Sequence, residues 1–236
     1  MRFGQRNLIF LLCSESRLFA QVAKRDWPQD WPEYFDTLVA ISNLGDHQRS
    51  LVLLVLRRLV EDVTHFSHDL AKKRCDQLLA ELKQKAKPML SFMVAGLQTQ
   101  QGAWRDSKGR NEVALKLAIA LIETLTGFLP WAAAAIIFDL NIPEILMSCL
   151  HDVHVLRMPA AEALLLLVER ETGKMSIAPK FLFPLEKTDA FSSALKSQFG
   201  SPQQQVSFQE VLGRILVAAG NRHLALVEKH NFAVPA

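Results

Sequence analysis

The sequence predicts an all-α protein, organised as a solenoid of stacked antiparallel helical hairpins. Apolar residues recur at the three- and four-residue spacing of a buried helix face through almost the whole chain. Leu and Ala dominate the apolar residues, and Gly occurs only 10 times in 236 residues, which favours helices over strands. We find no segment with the apolar–polar alternation of a half-buried strand. Helices joined by short connections therefore predict hairpins that each bury one face on the next.

The first two predicted helices flank a turn that is rich in Trp and Pro. Leu8–Lys24 carries a helical stripe of apolar residues and runs into the turn Asp26–Pro32. Pro32 fits the first position of the second helix, where its fixed φ is favourable and its missing N–H has no cost. Gly45 is predicted to end the second helix, because glycine readily adopts the conformation that follows a helix C-terminus.

Two longer helices are predicted in the next stretch. Asp46 is a favourable N-cap for a third helix that reaches about His68, and a fourth helix spans about Leu70–Thr99. Pro88 is expected to bend or divide the fourth helix, because proline removes a backbone hydrogen bond and clashes with the preceding turn. A polar loop that contains glycine is expected over Gln100–Asn111.

The second half of the chain is predicted to hold shorter helices. Val113–Gly127 has its apolar residues in helical phase. Further helices are expected to begin at Pro143 and at Pro159, because the first turn of a helix tolerates proline. Two more helical stripes occupy Lys180–Phe199 and Ser207–Ala219.

The composition as a whole narrows the classes of function. A net charge of +3 and a pI near 8.8 are too mild for a uniform phosphate-binding surface, although a local basic patch is compatible with them. The three cysteines are far apart and form no Cys-x-x-Cys pair, which indicates buried free thiols in a reducing compartment. The apolar stretch Pro130–Phe138 is too short to cross a bilayer, so no membrane insertion is expected.

The predicted turn between the first two helices resembles a segment of a known family. Residues Val22–Leu38 read VAKRDWPQDWPEYFDTL, in which Trp27, Pro28, Trp31 and Pro32 form a paired Trp-Pro unit. This unit resembles the Lys-Arg-acid-Trp-Pro-x-x-Trp-Pro segment of the importin-β/exportin superfamily. Both tryptophans are interpreted as structural wedges between helices, and the prolines preset the φ angles of the turn.

Three further segments follow in the order that the superfamily has, and they extend the resemblance to about residues 16–174. They are Leu53–Val63, Leu121–Trp131 and Ala160–Leu165. All three are most similar to the exportin-5 branch, whose members export hairpin RNAs such as microRNA precursors. The resemblance therefore implies an α-solenoid of HEAT-like antiparallel helical hairpins, with an ARM-type superhelix.

The resemblance also implies a domain organisation. No change in composition divides the chain, so residues 1–236 are interpreted as a single partial HEAT-repeat array. Residues 1–175 would form an exportin-1/importin-β-like region, and residues 176–236 would form further exportin repeats. A compact helical bundle is the alternative on pattern alone, because self-similarity between the repeats is weak.

The function implied by the resemblance is nuclear export. In the superfamily, receptor, cargo and the GTP form of the GTPase Ran bind together in the nucleus, and GTP hydrolysis in the cytoplasm releases the cargo. The implied partners are Ran-GTP, RNA or protein cargo and nuclear pore proteins, and the implied location is nucleus and cytoplasm. The matching segments lie inside such receptors, so the leading repeats that chiefly hold Ran are expected to be absent. Ran-GTP binding by this segment is then expected to be weak or lost.

Two groups of cations are candidate contacts for RNA. Each lysine or arginine that meets a phosphate adds salt-dependent affinity. One group lies on the predicted fourth helix, and the other lies in the polar loop beside Trp104, an aromatic of the kind that stacks on bases. Acidic residues are interspersed, so a solvated helix face is the alternative interpretation. The candidate RNA contacts are Lys72, Lys73, Arg74, Lys83, Lys85, Lys87, Arg105, Lys108 and Arg110.

The polar side of the predicted third helix is a separate candidate surface. Arg58, Glu61 and Asp62 are candidate contacts for Ran or another partner, and packing against a further repeat is the alternative. The residue types allow either interpretation.

No signature of catalysis is present, and the chain is predicted not to be an enzyme and to need no cofactor. It has no phosphate loop, no Gly-x-Ser-x-Gly and no His-Glu-x-x-His. His65 and His68, and likewise His151 and His154, are three apart, but no third donor completes a metal site. The alternatives are an importin-type receptor or general HEAT scaffold that binds proteins rather than RNA, and a helical enzyme, which no motif supports.

Overall fold

The structure is a computed structural model in which most of the chain can be described. The backbone is described over residues 2–64, 71–152, 154–170, 178–197 and 200–230, and the side chains over residues 14–64, 71–151, 154–170, 180–197 and 200–228. These residues form helices and turns and contain no β-strand. They divide into two compact units, Met1–Trp131 and Ala132–Ala236.

The first unit consists of two pairs of long helices and one short helix. Its described helices are α1 (Arg2–Asp26), α2 (Tyr34–Ser42), α3 (Asp46–Thr64), α4 (Lys72–Asp106) and α5 (Glu112–Phe128). Helices α1 and α3 pack on each other, with α2 between them in sequence, and α4 packs on α5 to form the second pair. Helix α3 also packs on α5, which joins the two pairs.

The core of the first unit follows the predicted helical stripes. The stripe of α3 is at most 5% exposed, and the α4 and α5 stripes are buried in the same way. Each fully buried Leu or Val side chain contributes roughly 1.5–3 kcal/mol, so these stripes dominate the stability of the unit. The buried residues of α3 are Val52, Leu53, Val55, Leu56, Leu59, Val60 and Val63.

The second unit has mostly shorter helices. Its described helices are α6 (Ala134–Asp139), α7 (Ile142–Asp152), α8 (His154–Glu169), a 3₁₀ helix (Ala178–Leu182), α9 (Phe183–Glu186), α10 (Thr188–Lys196) and α11 (Pro202–His230). Helix α8 packs on both α7 and α11, and Phe181 is fully buried beside them. These packed helical pairs, with the pairs of the first unit, confirm the predicted all-α, HEAT-like fold class.

The predicted end of the fourth helix is wrong. Helix α4 continues through Pro88 as one helix and ends at Asp106, so the loop before α5 is much shorter than Gln100–Asn111. Gln100 and Gln101 suggested a loop because they are polar, but both are buried within the unit. Both glutamines lie on the side of α4 that packs within the unit, and this packing outweighs their polarity.

Of the other helix starts that were predicted from proline, some agree with the structure and others do not. Pro143 lies in the first turn of α7, which agrees with the prediction, whereas Pro159 lies inside α8 rather than at the start of a helix. Pro32 precedes α2, which begins two residues later. The predicted helix over Lys180–Phe199 is divided into the short helix α9, which has Pro184 in its first turn, and α10. Pro202, rather than a residue near 207, begins α11.

Candidate functional site

The Trp-Pro turn after α1 contains a small aromatic cluster. Trp27 is 1% exposed, and its ring centroid lies 6.4 Å from that of Tyr34. The ring of Trp31 is half-buried and meets the Tyr34 ring edge-on, with centroids 5.1 Å apart. The Tyr34 hydroxyl donates a hydrogen bond to the carbonyl oxygen of Phe19, at 3.0 Å. The cluster therefore ties the start of α2 to α1, while Pro32 is exposed.

The burial of Tyr34 has a measurable consequence at alkaline pH. Burial raises the pKa of Tyr34, because the phenolate would lose its hydration. The contribution of this neutral phenol to stability is complete below its unfolded pKa of about 10 and is lost as the pH rises towards the folded pKa. We therefore expect the free energy of unfolding to fall above about pH 10.

The chain offers a direct readout of this titration. Tyr34 is its only tyrosine, so the ultraviolet absorbance of tyrosinate reports this side chain alone. We expect tyrosinate to appear together with the loss of helical circular dichroism. A titration centred near pH 10 with the helical signal intact would contradict the burial of Tyr34.

The guanidinium of Arg74, near the start of α4, lies over the end of α1 and the Trp-Pro turn. Its Nε donates to the carbonyl oxygen of Lys24 at 2.8 Å. Its Nη2 donates to the carbonyl oxygens of Arg25, at 3.1 Å, and of Trp27, while Nη1 donates to Oε1 of Gln29 at 2.8 Å. The last carbonyl groups of a helix have no partner within it. Arg74 therefore satisfies the C-terminus of α1, and its donors are engaged inside the unit.

Three other cations on α4 are arranged along one exposed side of the helix. Lys72, Lys83 and Lys87 are exposed and follow each other at intervals of 11 and four residues, which are about three turns and one turn. These three residues, called the lysine row below, span about 22 Å along the axis. Lys73 is also exposed, but it follows Lys72 directly in sequence and lies on a neighbouring side of the helix. Lys85 is half-buried and lies on a different side.

The ammonium groups of the lysine row are open to an external partner. None of them forms an ion pair within the described residues. Asp76 lies one turn after Lys72 and is the acidic residue of α4 that shares this side. Three lysines against one aspartate leave this side of α4 with a net positive charge.

The second group of predicted cations surrounds the turn between α4 and α5. Trp104 lies in the last turn of α4 and is half-buried. Gly109 has a φ of +78°, and a Cβ there would lie 3.3 Å from Cζ2 of Trp104, so the ring packs against the turn. Much of the indole surface is therefore used within the unit. The exposed cations of this turn are Arg105, Lys108 and Arg110.

The polar residues of α3 are largely engaged within the first unit. Asp62 accepts a hydrogen bond from Nζ of Lys24 at 2.7 Å, and this ion pair is mostly buried, with 7% exposure for Lys24 and 18% for Asp62. Glu61 pairs with Arg57 at 2.9 Å on the surface of the same helix. Arg58 lines a recess of about 190 Å³ beside Glu61. Asp62 therefore holds α3 to α1.

The described residues were also examined for groups that could hold a metal ion and for helices that could span a membrane. They contain no group of three or more His, Cys, Asp or Glu side chains placed to hold a metal ion. His151 and His154 are exposed, and His65 and His68 lie outside the described residues. Within the described residues, every helix is too short or too polar to span a bilayer.

Two contacts within the second unit, of Arg170 and Arg222 with the Phe181 ring, were not predicted from the sequence. The Cζ atoms of Arg170 and Arg222 lie 5.7 Å and 5.1 Å from the centroid of the Phe181 ring, within cation–π distance. Arg222 also donates to the carbonyl oxygen of Arg170, at 2.5 Å. Desolvation by burial lowers the pKa of both arginines. The sequence signal was faint: Arg222 is a single cation on the buried side of α11.

Comparison with known proteins gives a consistent set of relatives. The chain is 29% identical to Exportin-5 of Homo sapiens over 224 residues, which are 90% of this chain and 18% of that protein. It is 25% identical to Exportin-5 of Dictyostelium discoideum over 227 residues, 90% of this chain and 20% of that protein. It is also 30% identical to Protein HASTY 1 of Arabidopsis thaliana over 127 residues, 52% of this chain and 11% of that protein.

The chain thus spans about a fifth or less of the length of these relatives. The sequence profile of the Exportin 1-like protein family matches residues 10–164. This range runs from α1 into α8 and includes the Trp-Pro turn, Arg74 and the lysine row. Because the match covers well over half of the chain and its helices pack in pairs, the chain belongs to the exportin 1-like family.

Proposed function

We propose that this chain is a segment of a nuclear export receptor of the exportin-5 type. In this proposal it binds structured RNA, such as a microRNA precursor, or a protein cargo together with Ran-GTP, and moves between nucleus and cytoplasm past nuclear pore proteins. The similarity to proteins named Exportin-5 over 90% of the chain supports this assignment. A single HEAT-repeat array over residues 1–236 belongs to the same proposal.

The observation that carries the RNA part of the proposal is the lysine row. Its three exposed ammonium groups extend over about 22 Å, which is long enough to meet more than one backbone phosphate. Double-stranded RNA is recognised mainly by its shape and by phosphate and 2′-hydroxyl contacts, rather than through base edges. A row of lysines on a rigid helix suits such binding, because lysine acts as a mobile point charge towards phosphate.

Arg105, Lys108 and Arg110 belong to the same proposal as a second set of phosphate contacts. They are exposed at the other end of α4, where the Trp104 ring packs against the turn at Gly109. Lys73 and Lys85 are secondary members, because Lys73 lies on a neighbouring side of α4 and Lys85 is half-buried. Arg74 is assigned to the structure of the α1 end, since its donors are already engaged there.

The proposed contact with Ran-GTP through α3 is weak in this segment. Asp62 and Glu61 are already paired with Lys24 and Arg57. A partner that recruited these carboxylates would have to break existing ion pairs. Arg58 is therefore the member of the set that is best placed to meet a partner.

A charge-matched experiment tests the lysine row. The triple variant Lys72→Gln/Lys83→Gln/Lys87→Gln and the control Lys116→Gln/Lys187→Gln/Lys196→Gln change only exposed lysines. Each lowers the net charge from +3 to 0, since each removes three positive charges. We expect the row variant to bind a short RNA hairpin about 10–100-fold more weakly at about 0.15 M salt. It would contact fewer phosphates, so its binding would release fewer counterions from the RNA.

The control variant shows whether weaker RNA binding comes from the position of the replaced lysines or from the lower net charge. We expect the control variant to bind RNA within about twofold of the parent chain. Equal weakening of both variants would assign the effect to overall charge. Unchanged binding by the row variant would remove the RNA surface from the proposal and favour a scaffold or an importin-type receptor for proteins.

A further inference from the structure

The turn between α4 and α5 contains a serine with basic residues on both sides. Residues 104–112 read WRDSKGRNE, so Ser107 follows Arg105 by two positions and precedes Lys108 and Arg110 by one and three positions. Among the described serines and threonines, Ser107 alone has a lysine or arginine within three positions on each side. The three cations are exposed, and Ser107 itself is half-buried.

The hydroxyl group of Ser107 forms hydrogen bonds to the backbone of this turn. Its Oγ accepts from the backbone N–H groups of Arg110, at 3.2 Å, and of Asn111, at 3.0 Å. The hydroxyl also donates to the carbonyl oxygen of Trp104 at 2.8 Å. That carbonyl oxygen accepts a second bond, from the N–H of Gly109 at 3.0 Å. It would therefore keep a partner if the hydroxyl hydrogen of Ser107 were replaced.

A phosphate group on Oγ of Ser107 would suit the electrostatics of the turn. Phosphoserine carries a charge of about −1.5 to −2 at pH 7 and has three strong acceptor oxygens. Two backbone N–H groups already point at Oγ, and such groups favour an anionic oxygen. Arginine pairs with phosphate through two parallel hydrogen bonds, so Arg105 and Arg110 are suitable partners in the same turn.

The segment around Ser107 is accessible to a modifying enzyme. Helix α4 ends at Asp106 and α5 begins at Glu112, so residues 107–111 lie between the helices. Opening this short segment breaks a few surface hydrogen bonds and leaves the buried stripes of both helices packed. An enzyme that binds cations on both sides of a serine would do so with carboxylates in its own active site. Kinases that select basic substrates have this chemistry.

We propose that Ser107 is phosphorylated by a serine/threonine kinase that selects basic substrates, and that this modification weakens RNA binding by the neighbouring cations. ATP donates its γ-phosphoryl group: the Oγ–P bond forms, the P–O bond to ADP breaks, and the hydroxyl proton passes through a base of the kinase to solvent. The effect on RNA rests on the proposed function, whereas the modification itself does not.

The modification would reverse the charge of the turn. Residues 105–112 contain three cations and two carboxylates, which give a net charge of +1. A phosphate group changes this value to about −1. The cations of the turn would then pair with the phosphate of Ser107 instead of RNA phosphates, and the turn would repel RNA.

Incubation of the full chain with such a kinase and ATP, followed by peptide mass spectrometry, tests the modification. We expect phosphate on Ser107. The variant Arg105→Gln/Arg110→Gln should be phosphorylated about tenfold more slowly or less, because it lacks a cation on each side that the kinase recognises. Phosphate that is absent from Ser107, or that forms at the parent rate in this variant, overturns the proposal.

Two controls show whether the position of the cations determines the phosphorylation. Lys187→Gln/Lys196→Gln removes the same charge from exposed positions outside the turn, and its Ser107 should be phosphorylated at the parent rate. Ser148 is an exposed serine with no lysine or arginine within three positions, and we expect it to carry no phosphate. Equal phosphorylation of Ser148 and Ser107 would contradict recognition through the flanking cations.

Binding of the short RNA hairpin tests the consequence of the modification. We expect the phosphorylated chain to bind it about tenfold more weakly than the unmodified chain at about 0.15 M salt. Ser107→Glu should weaken binding about threefold, because it adds one negative charge, and Ser107→Ala should stay within about twofold of the parent. Unchanged RNA affinity after phosphorylation overturns the proposed regulation. Equal weakening in Ser107→Ala and Ser107→Glu would overturn it too, since loss of the hydroxyl would then be the cause.

Failure of this proposal and failure of the proposed function give different results. If the unmodified chain binds no RNA hairpin, the RNA function and its regulation both fall, while mass spectrometry still decides whether Ser107 is modified. If the unmodified chain binds RNA and Ser107 acquires no phosphate, the RNA function stands and the assignment of Ser107 is overturned.

Discussion

Replacing Trp27 by Ala is expected to lower the free energy of unfolding of the first unit by about 3–5 kcal/mol. Trp27 is 1% exposed, and its removal leaves a cavity beside Tyr34 that the rigid ends of α1 and α2 cannot fill by collapse. Denaturant unfolding followed by far-ultraviolet circular dichroism measures the effect. The loss should appear as a shift of the midpoint with little change in the m-value.

Trp31→Ala is the matched control for this substitution. It removes the same side chain from the same turn, but the Trp31 ring is only half-buried and covers the outer side of Tyr34. We expect it to cost clearly less than Trp27→Ala, about 1–2 kcal/mol. Equal losses for the two variants would mean that burial at this turn does not distinguish the tryptophans.

Replacing Arg74 by Met should cost about 2–4 kcal/mol. Methionine keeps much of the aliphatic volume but removes every donor to the carbonyl oxygens of Lys24, Arg25 and Trp27. Carbonyl groups that lose their partner while partly buried carry the full cost of desolvation. Thermal unfolding followed by circular dichroism should show a lower Tm for this variant.

Two comparisons isolate the geometry of the guanidinium. Lys73→Met, at the neighbouring exposed position, should change stability by no more than about 0.5 kcal/mol. Arg74→Lys should recover only part of the loss, because one ammonium group cannot reach acceptors that a planar guanidinium spans. Full stability in Arg74→Lys would show that charge alone, rather than the fork of donors, acts at this position.

The fold class could be predicted because helical spacing is repeated along the chain. The stripe of α3 is buried as the spacing indicates, and the Trp-Pro unit lies at a turn between helices. Helix ends were harder to predict. Gln100 and Gln101 are polar yet buried in α4, and Pro159 is accommodated inside α8. In each case tertiary packing outweighs local propensity.

The candidate surface could be predicted only in part, because residue type does not reveal a partner that is distant in sequence. Arg74 looks like its lysine neighbours, but it reaches backbone groups about 50 positions earlier. Asp62 is one of several charges on α3, and its pairing with Lys24 depends on how α1 lies against α3. The three residues of the lysine row are exposed, and none of them forms an ion pair within the described residues.

The structure therefore assigns different roles to basic residues that are adjacent in sequence. Arg74 stabilises the end of α1 from within, whereas the lysine row faces outward along α4. An RNA bound along the row would rest on a helix whose first turn is anchored by Arg74. Loss of Arg74 should then affect stability first, and RNA binding only through the fraction of folded protein.

The most direct measurement is the slope of the logarithm of the RNA-hairpin binding constant against the logarithm of salt concentration. It should be compared among the parent chain, Arg74→Met and the lysine-row triple variant, at a temperature where all three are folded. We predict that the row variant loses about one unit of slope per lysine, about three in all, and that Arg74→Met keeps the parent slope. A parent slope in the row variant, or an equal loss in Arg74→Met, would contradict this division of roles.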